Sequence, residues 1–184
     1  FMRELDLVPT GGRWGSISRL KEQTKRLFAS SITAIHEQGD GTQIINQTLA
    51  DKAVFWWHPS DPNQTTLWKS SISLTETFYR EIVDRAVPID MRAIKALKKS
   101  PMALDIYTWL TYRMSYLKKP TAIPWSSLAM QFGSNYSRLT DFRLAFLGEL
   151  KKVVTVYGGV QVEVSPTGLL VKPSLTHIGK KGGT

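Results

Sequence analysis

The residues best suited to catalysis are few and scattered. His36, His58 and His177 lie far apart and none sits in a His-Glu-x-x-His or His-x-His spacing, so no metal or nickase site is expected. There is no cysteine, which removes thiolate zinc ligands and disulfides. Gly179-Lys180 lacks the upstream glycine of a phosphate-binding loop, and no Gly-x-Ser-x-Gly occurs. Asp84 and Asp90 flank a helix boundary, where carboxylates serve helix starts better than acid-base work. The chain is therefore expected not to be an enzyme and to need no cofactor.

A different chemistry is concentrated between positions 135 and 172. Asn135, Ser137, Arg138, Thr140 and Asp141 carry groups that bond to base edges, and Tyr136 and Arg143 adjoin them. Lys151, Lys152 and Lys172 suit phosphate. Ordinary roles compete for each: Asn135 in shaping a turn, Ser137 as a helix cap, Arg138 with Asp141 as a surface pair three residues apart, and Tyr136 packed over a helix.

Whether these groups share a face depends on the helix that carries them, expected over 137–154. On it Leu139, Phe142, Phe146, Leu150 and Val153 recur at steps of three and four and form the buried arc. Ser137, Thr140, Asp141, Leu144, Gly148 and Lys151 then face outward, with Arg138 and Lys152 on one flank and Arg143 toward the other. Upstream, Asp90 caps a helix over 91–99, and Ser100-Pro101 starts another over 101–117, with Leu104, Tyr107, Leu110, Met114 and Leu117 on its inner face. Trp109 and Trp125 read as core. A third helix over 124–132 closes on Gly133.

After Gly158-Gly159 the period changes to strict alternation, with Val160, Val162 and Val164 on one side and Gln161, Glu163 and Ser165 on the other. Pro166-Thr167-Gly168 turns the chain into a returning strand over 169–172. Helix, tight turn, helix, then hairpin is the winged helix-turn-helix arrangement, so residues 87–178 are expected to be an α+β DNA-binding domain, with 179–184 as a flexible tail.

Charge sharpens this division. From Ala86 onward there are 14 Lys and Arg against 5 Asp and Glu, whereas through Arg85 there are 10 of each, so the whole net charge of +9 belongs to the second half. That density points to a polyanion, double-stranded DNA above all. The boundary falls at 86–90, where Pro88 interrupts a helical pattern. In the first half, 10–15 reads as a turn, Ser16 or Ser18 caps a helix over 16–32 with Ile17, Leu20, Leu27 and Phe28 inward, and 42–57 and 65–72 read as a hairpin around 59–63. Ser73-Leu74-Thr75-Glu76 is a capping box before a helix over 74–83 with Phe78 and Ile82 inward. Arg13, Arg19, Lys21, Lys25 and Arg26 form a candidate second DNA contact.

No apolar run approaches the length of a membrane span and no export signal is visible, so a cytoplasmic protein without a membrane partner is expected. The start at Phe1-Met2 reads as a piece of a longer chain.

Particular segments carry a family resemblance: 9–15, 78–82, Val87-Pro88-Ile89-Asp90, the block from Ser100 to Arg113, Ile123-Pro124-Trp125, Gln131-Phe132-Gly133, Asp141-Phe142-Arg143 and Ala145-Phe146-Leu147. The chain resembles the plasmid-encoded RepA-type replication initiators. The resemblance implies two winged-helix-like units in tandem, the first (1–86) incomplete at its start and used for homodimer contacts and DNA backbone, the second for base reading. It also implies a bacterial protein that binds repeated sites in its plasmid origin, helps open the duplex and gathers the host replicative helicase and host initiator. A winged-helix transcriptional regulator or autorepressor is the alternative from the fold alone.

Overall fold

The computed structural model describes residues 2, 4–38, 41–55, 71–84, 86–133 and 136–179. It is a mixed helix and strand protein in two compact units, Phe1–Ala86 and Val87–Thr184.

In the first unit, helix α1 spans Ser16–Phe28, strands β1 (Ser31–Gln38) and β2 (Gly41–Thr48) pair antiparallel, and β3 (Ala50–Val54) pairs with β4 (Ser71–Leu74) before helix α2 (Glu76–Asp84). Several expectations are corrected, among them an inward Leu27, which is 54% exposed. The first helix ends at Phe28, four residues early, because 31–38 is drawn into a strand against β2, in register Ile35 to Ile44. The 42–57 run is two strands broken at Leu49, which is buried where the chain changes sheets, so the single hairpin becomes two ladders; residues 56–70 lie outside the described residues. Ile82 is 45% exposed, whereas Phe78 is half-buried as expected. The capping box resolves in favour of Thr75, whose hydroxyl accepts from Phe78 N–H at 3.3 Å. Neither Ser16 nor Ser18 caps α1: Gly15 holds the N-cap position, and both hydroxyls bond back into the preceding loop, to the carbonyls of Val8 (2.8 Å) and Gly12 (2.7 Å).

The second unit holds the main core. Helices α3 (Met91–Leu97) and α4 (Pro101–Met114) meet at Ser100, which must be extended to cap α4 and to precede Pro101; this ends α3 two residues earlier than the pattern predicted. The α4 helix stops three residues short of Leu117. Tyr107, Leu110 and Met114 are buried in it, while Leu104 and Leu117 are half-buried at the rim. Strand β5 (Thr121–Pro124) leads into α5 (Trp125–Phe132), and α6 (Leu139–Tyr157) leads through Gly158 to β6 (Gln161–Val164) and β7 (Gly168–Lys172). The sheet order is β5-β7-β6, with Thr121 opposite Val171 and Gln161 opposite Lys172. Sequence pattern missed β5, a four-residue segment ending in proline. Pro124 is tolerated because β5 is an edge strand, and its missing N–H leaves no gap in the ladder.

Candidate nucleic-acid interface

The α6 helix is held by one face. Phe142, Phe146, Leu150, Val153 and Tyr157 are buried, and Phe142 and Phe146 pack at 5.4 Å between ring centres, with Trp125 at 6.0 Å and Phe132 at 5.5 Å from Phe146. At about 1.5–3 kcal/mol for each large side chain removed from water, this seam fixes the rotation of α6. Its opposite face is open: Thr140, Leu144, Gly148 and Lys151 are all exposed, Leu144 at 77%.

The helix begins later than its pattern suggested, at Leu139 rather than Ser137. Arg138 takes the extended N-cap conformation, φ −121° and ψ 135°, and Ser137 precedes the helix. Leu139, assigned to the buried arc, is 48% exposed because the first turn projects beyond the core. Arg138 and Asp141 are bonded to each other: Nε donates to Oδ2 at 2.7 Å and Nη2 to Oδ1 at 3.0 Å. Asp141 also lies in the first turn, where a carboxylate complements the helix dipole.

The remaining candidates separate by their surroundings. Tyr136 packs edge-on against Phe142 at 5.9 Å and is 39% exposed. Arg143 lies across the Trp125 ring at 5.1 Å and reaches the carbonyls of Ser165 and Pro166 at 3.5 Å, so it ties α6 to the hairpin turn. Lys152 pairs with Glu149 at 2.6 Å, and Lys172 pairs across the hairpin with Glu163. Lys151 is in no ion pair among the described residues. Asn135 lies outside the described residues.

The hairpin is anchored at its turn. Trp125 Nε1 donates to the Ser165 carbonyl at 3.1 Å and Trp125 N–H to the Thr167 carbonyl at 3.2 Å. Gly168 opposes Pro124, and a Cβ there would meet the Ile123 carbonyl oxygen at 2.1 Å. At the turn end Val164 of β6 is 50% exposed, whereas Leu169 opposite it on β7 is fully buried, so the hairpin is docked on the core through β7 and presents β6 outward.

His177, which no spacing in the sequence singles out, closes this unit. Its Nδ1 lies 2.8 Å from the Tyr107 hydroxyl, which accepts from Asp90 N–H at 2.9 Å, and its own N–H donates to the Tyr157 hydroxyl at 3.0 Å. Asp90 caps α3 and is gripped by Arg92, whose guanidinium and backbone N–H hold its carboxyl down at about 2. Burial pushes the Tyr157 phenol up.

In the first unit, the candidate cations lie on α1 and the loop before it. Arg13 sits over the Trp14 ring at 5.2 Å, Arg19 and Arg26 are exposed, Lys21 is half-buried, and Lys25 pairs with Glu22 at 3.3 Å. Among the described residues, no group of three or more His, Cys, Asp or Glu side chains is arranged to hold a metal, and no helix is long and apolar enough to cross a membrane.

No curated protein and no solved structure matches the chain. A family model described as plasmid encoded RepA protein matches residues 1–126, which covers the first unit and, in the second, α3, α4, β5 and the start of α5. The α6 helix and the β6–β7 hairpin fall beyond the matched stretch. With 126 of its 184 residues inside that match, the chain belongs to the family of plasmid-encoded RepA proteins, a family of plasmid replication proteins.

Proposed function

We propose that the chain is a bacterial plasmid replication initiator that binds repeated sites in the plasmid origin through a winged helix in its second unit. By binding, and without catalysing a reaction, it promotes opening of the duplex and gathers the host helicase and host initiator. The observation that carries this reading is the open face of α6, Thr140, Leu144, Gly148 and Lys151, opposite its buried seam and within the half that holds the net charge of +9. A helix fits the major groove, a hydroxyl there bonds to base edges, an aliphatic side chain suits a thymine methyl, and lysine suits phosphate. The α5–α6 pair followed by the β6–β7 hairpin, in a three-stranded sheet with β5, supports the winged-helix assignment. In the first unit, the cross-strand pair of exposed Ile35 and Ile44 supports homodimer contacts through the β1–β2 hairpin. We place the protein in the bacterial cytoplasm, where its DNA is.

Footprinting on origin DNA of the source plasmid, at several salt concentrations, tests the reading. Protection of regularly spaced repeats is the expected result. A single protected palindrome at a promoter would instead make the protein a regulator, and protection independent of sequence would remove the base-reading role of α6.

A further inference from the structure

We propose that Trp14, backed by Arg13, is a stacking site for an unpaired base, so that the first unit binds single-stranded nucleic acid. Trp14 is 79% exposed, although a tryptophan carries more apolar surface than most side chains and gains most from burial. The loop that presents it is tightly built. Thr10 N–H donates to Ser16 Oγ and Ser16 N–H to Thr10 Oγ1, both at 2.9 Å, Ser16 Oγ donates to the Val8 carbonyl, and Gly15 N–H reaches the Gly12 carbonyl at 3.1 Å. Gly12 has φ +85°, a region that favours glycine, and a Cβ on Gly15 would sit 2.2 Å from the Thr10 oxygen. A bracket of this kind fixes the backbone that carries Trp14 before any partner arrives, which removes part of the ordering cost of binding.

The surroundings select the partner. Arg13 covers one face of the indole at 5.2 Å and leaves the other for a planar group. Arg19 and Arg26, seven residues apart and so on one side of α1 about 10 Å from each other, are exposed and in no ion pair among the described residues; Glu22 is taken by Lys25. An exposed aromatic face on the loop that leads into a helix with exposed cations matches bases on a phosphate backbone, and stacking needs a base that is not enclosed in a duplex. The inference shares with the proposed function only the premise that the ligand is nucleic acid. It adds a second site, for the strand released when the duplex opens.

The test uses the full chain and two probes, a labelled oligothymidylate of about 16 nucleotides and an origin duplex, in anisotropy titrations. Trp14→Ala is expected to weaken oligothymidylate binding by about five- to a hundredfold and to leave duplex binding within about twofold. Trp14→Phe should retain most of the affinity, and Gly15→Ala, which displaces the loop, should reproduce the loss. Circular dichroism of each variant checks that the fold persists, as the exposure of Trp14 predicts. Equal oligothymidylate affinity for the wild type and Trp14→Ala overturns the proposal and leaves Trp14 to a protein partner. So does an equal loss on both probes, or a Trp14→Phe as weak as the alanine variant. Failure of every form to bind the duplex, with Trp14-dependent binding of the single strand intact, would sink the proposed function and leave this site standing.

Discussion

Arg138 and Asp141 hold each other in the free protein, and the strength of that grip decides whether either is available to DNA. Both side chains are substantially exposed, 74% and 45%, and a surface pair of this kind is worth at most about 1 kcal/mol. A bidentate arginine–guanine contact discriminates by about 1–3 kcal/mol, so under the proposed function the surface pair is weak enough to open for such a contact. Arg138→Ala is therefore expected to lose about 1–3 kcal/mol of specific binding and to relax selection at one base position, as read by selection from random-sequence DNA. Uniform weakening on all sequences would assign Arg138 to phosphate instead. Asp141→Asn releases the guanidinium from its charge partner, and binding to non-specific duplex should tighten, with a steeper salt dependence. Away from this interface, Asp90 shows the opposite balance, a carboxylate held at about 2 against an ordinary 3.8, chiefly by the Arg92 side chain. Its folded pKa is depressed, so its contribution to stability is complete above about 4 and is lost as the pH falls through about 2. Asp90→Asn keeps an N-cap acceptor without the charge. In acid titrations followed by circular dichroism, that variant should show a smaller loss of stability between these pH values than the wild type.

At the scale of elements, the sheet and α6 depend on a few close fits. Gly168→Ala would drive a methyl into the Ile123 carbonyl at 2.1 Å and separate β5 from β7, for an expected cost of about 1–3 kcal/mol in urea unfolding; a wild-type midpoint would mean that the edge strand moves freely. Leu150→Ala should cost about 2–5 kcal/mol through a cavity beneath α6, with any loss of DNA binding following from that instability. These elements differ in how legible they were from residues alone. The caps at Asp90 and Ser100, the buried arc from Phe142 to Val153 and the β6–β7 hairpin were readable, because local hydrogen bonds and strong periodicity specify them. Strand β5 was not, since Thr121 to Pro124 becomes a strand only when β7 arrives from more than forty positions downstream. The same reason hid β1, where the apolar spacing of Ile32 continued the helical phase of α1 while the partner strand decided otherwise. Of the candidate site, the open face of α6 followed from helix phase, but the capture of Arg143 by Trp125 and the hairpin turn is a tertiary contact that no spacing encodes.

The charge asymmetry of the whole molecule makes the two units separable by experiment. Among the described residues Arg92, Arg138, Lys152 and Lys172 are in ion pairs within their own unit, and with 14 Lys and Arg against only 5 acids in the second half, most of the positive charge has no acid to balance it. Each cation that meets a duplex phosphate contributes about 0.9 to the slope of log affinity against log salt. If the second unit alone lies on the duplex, combined replacement of Arg13, Arg19 and Arg26 by alanine should leave that slope unchanged, while Lys151→Ala alone lowers it by about one. A fall of about three in the triple variant would place both units on double-stranded DNA at once, and the first unit would then contribute to the duplex footprint as well as to the single strand. The comparison works because the first unit's balanced charge supplies little long-range attraction of its own: a slope that responds to its three arginines can come only from direct phosphate contact.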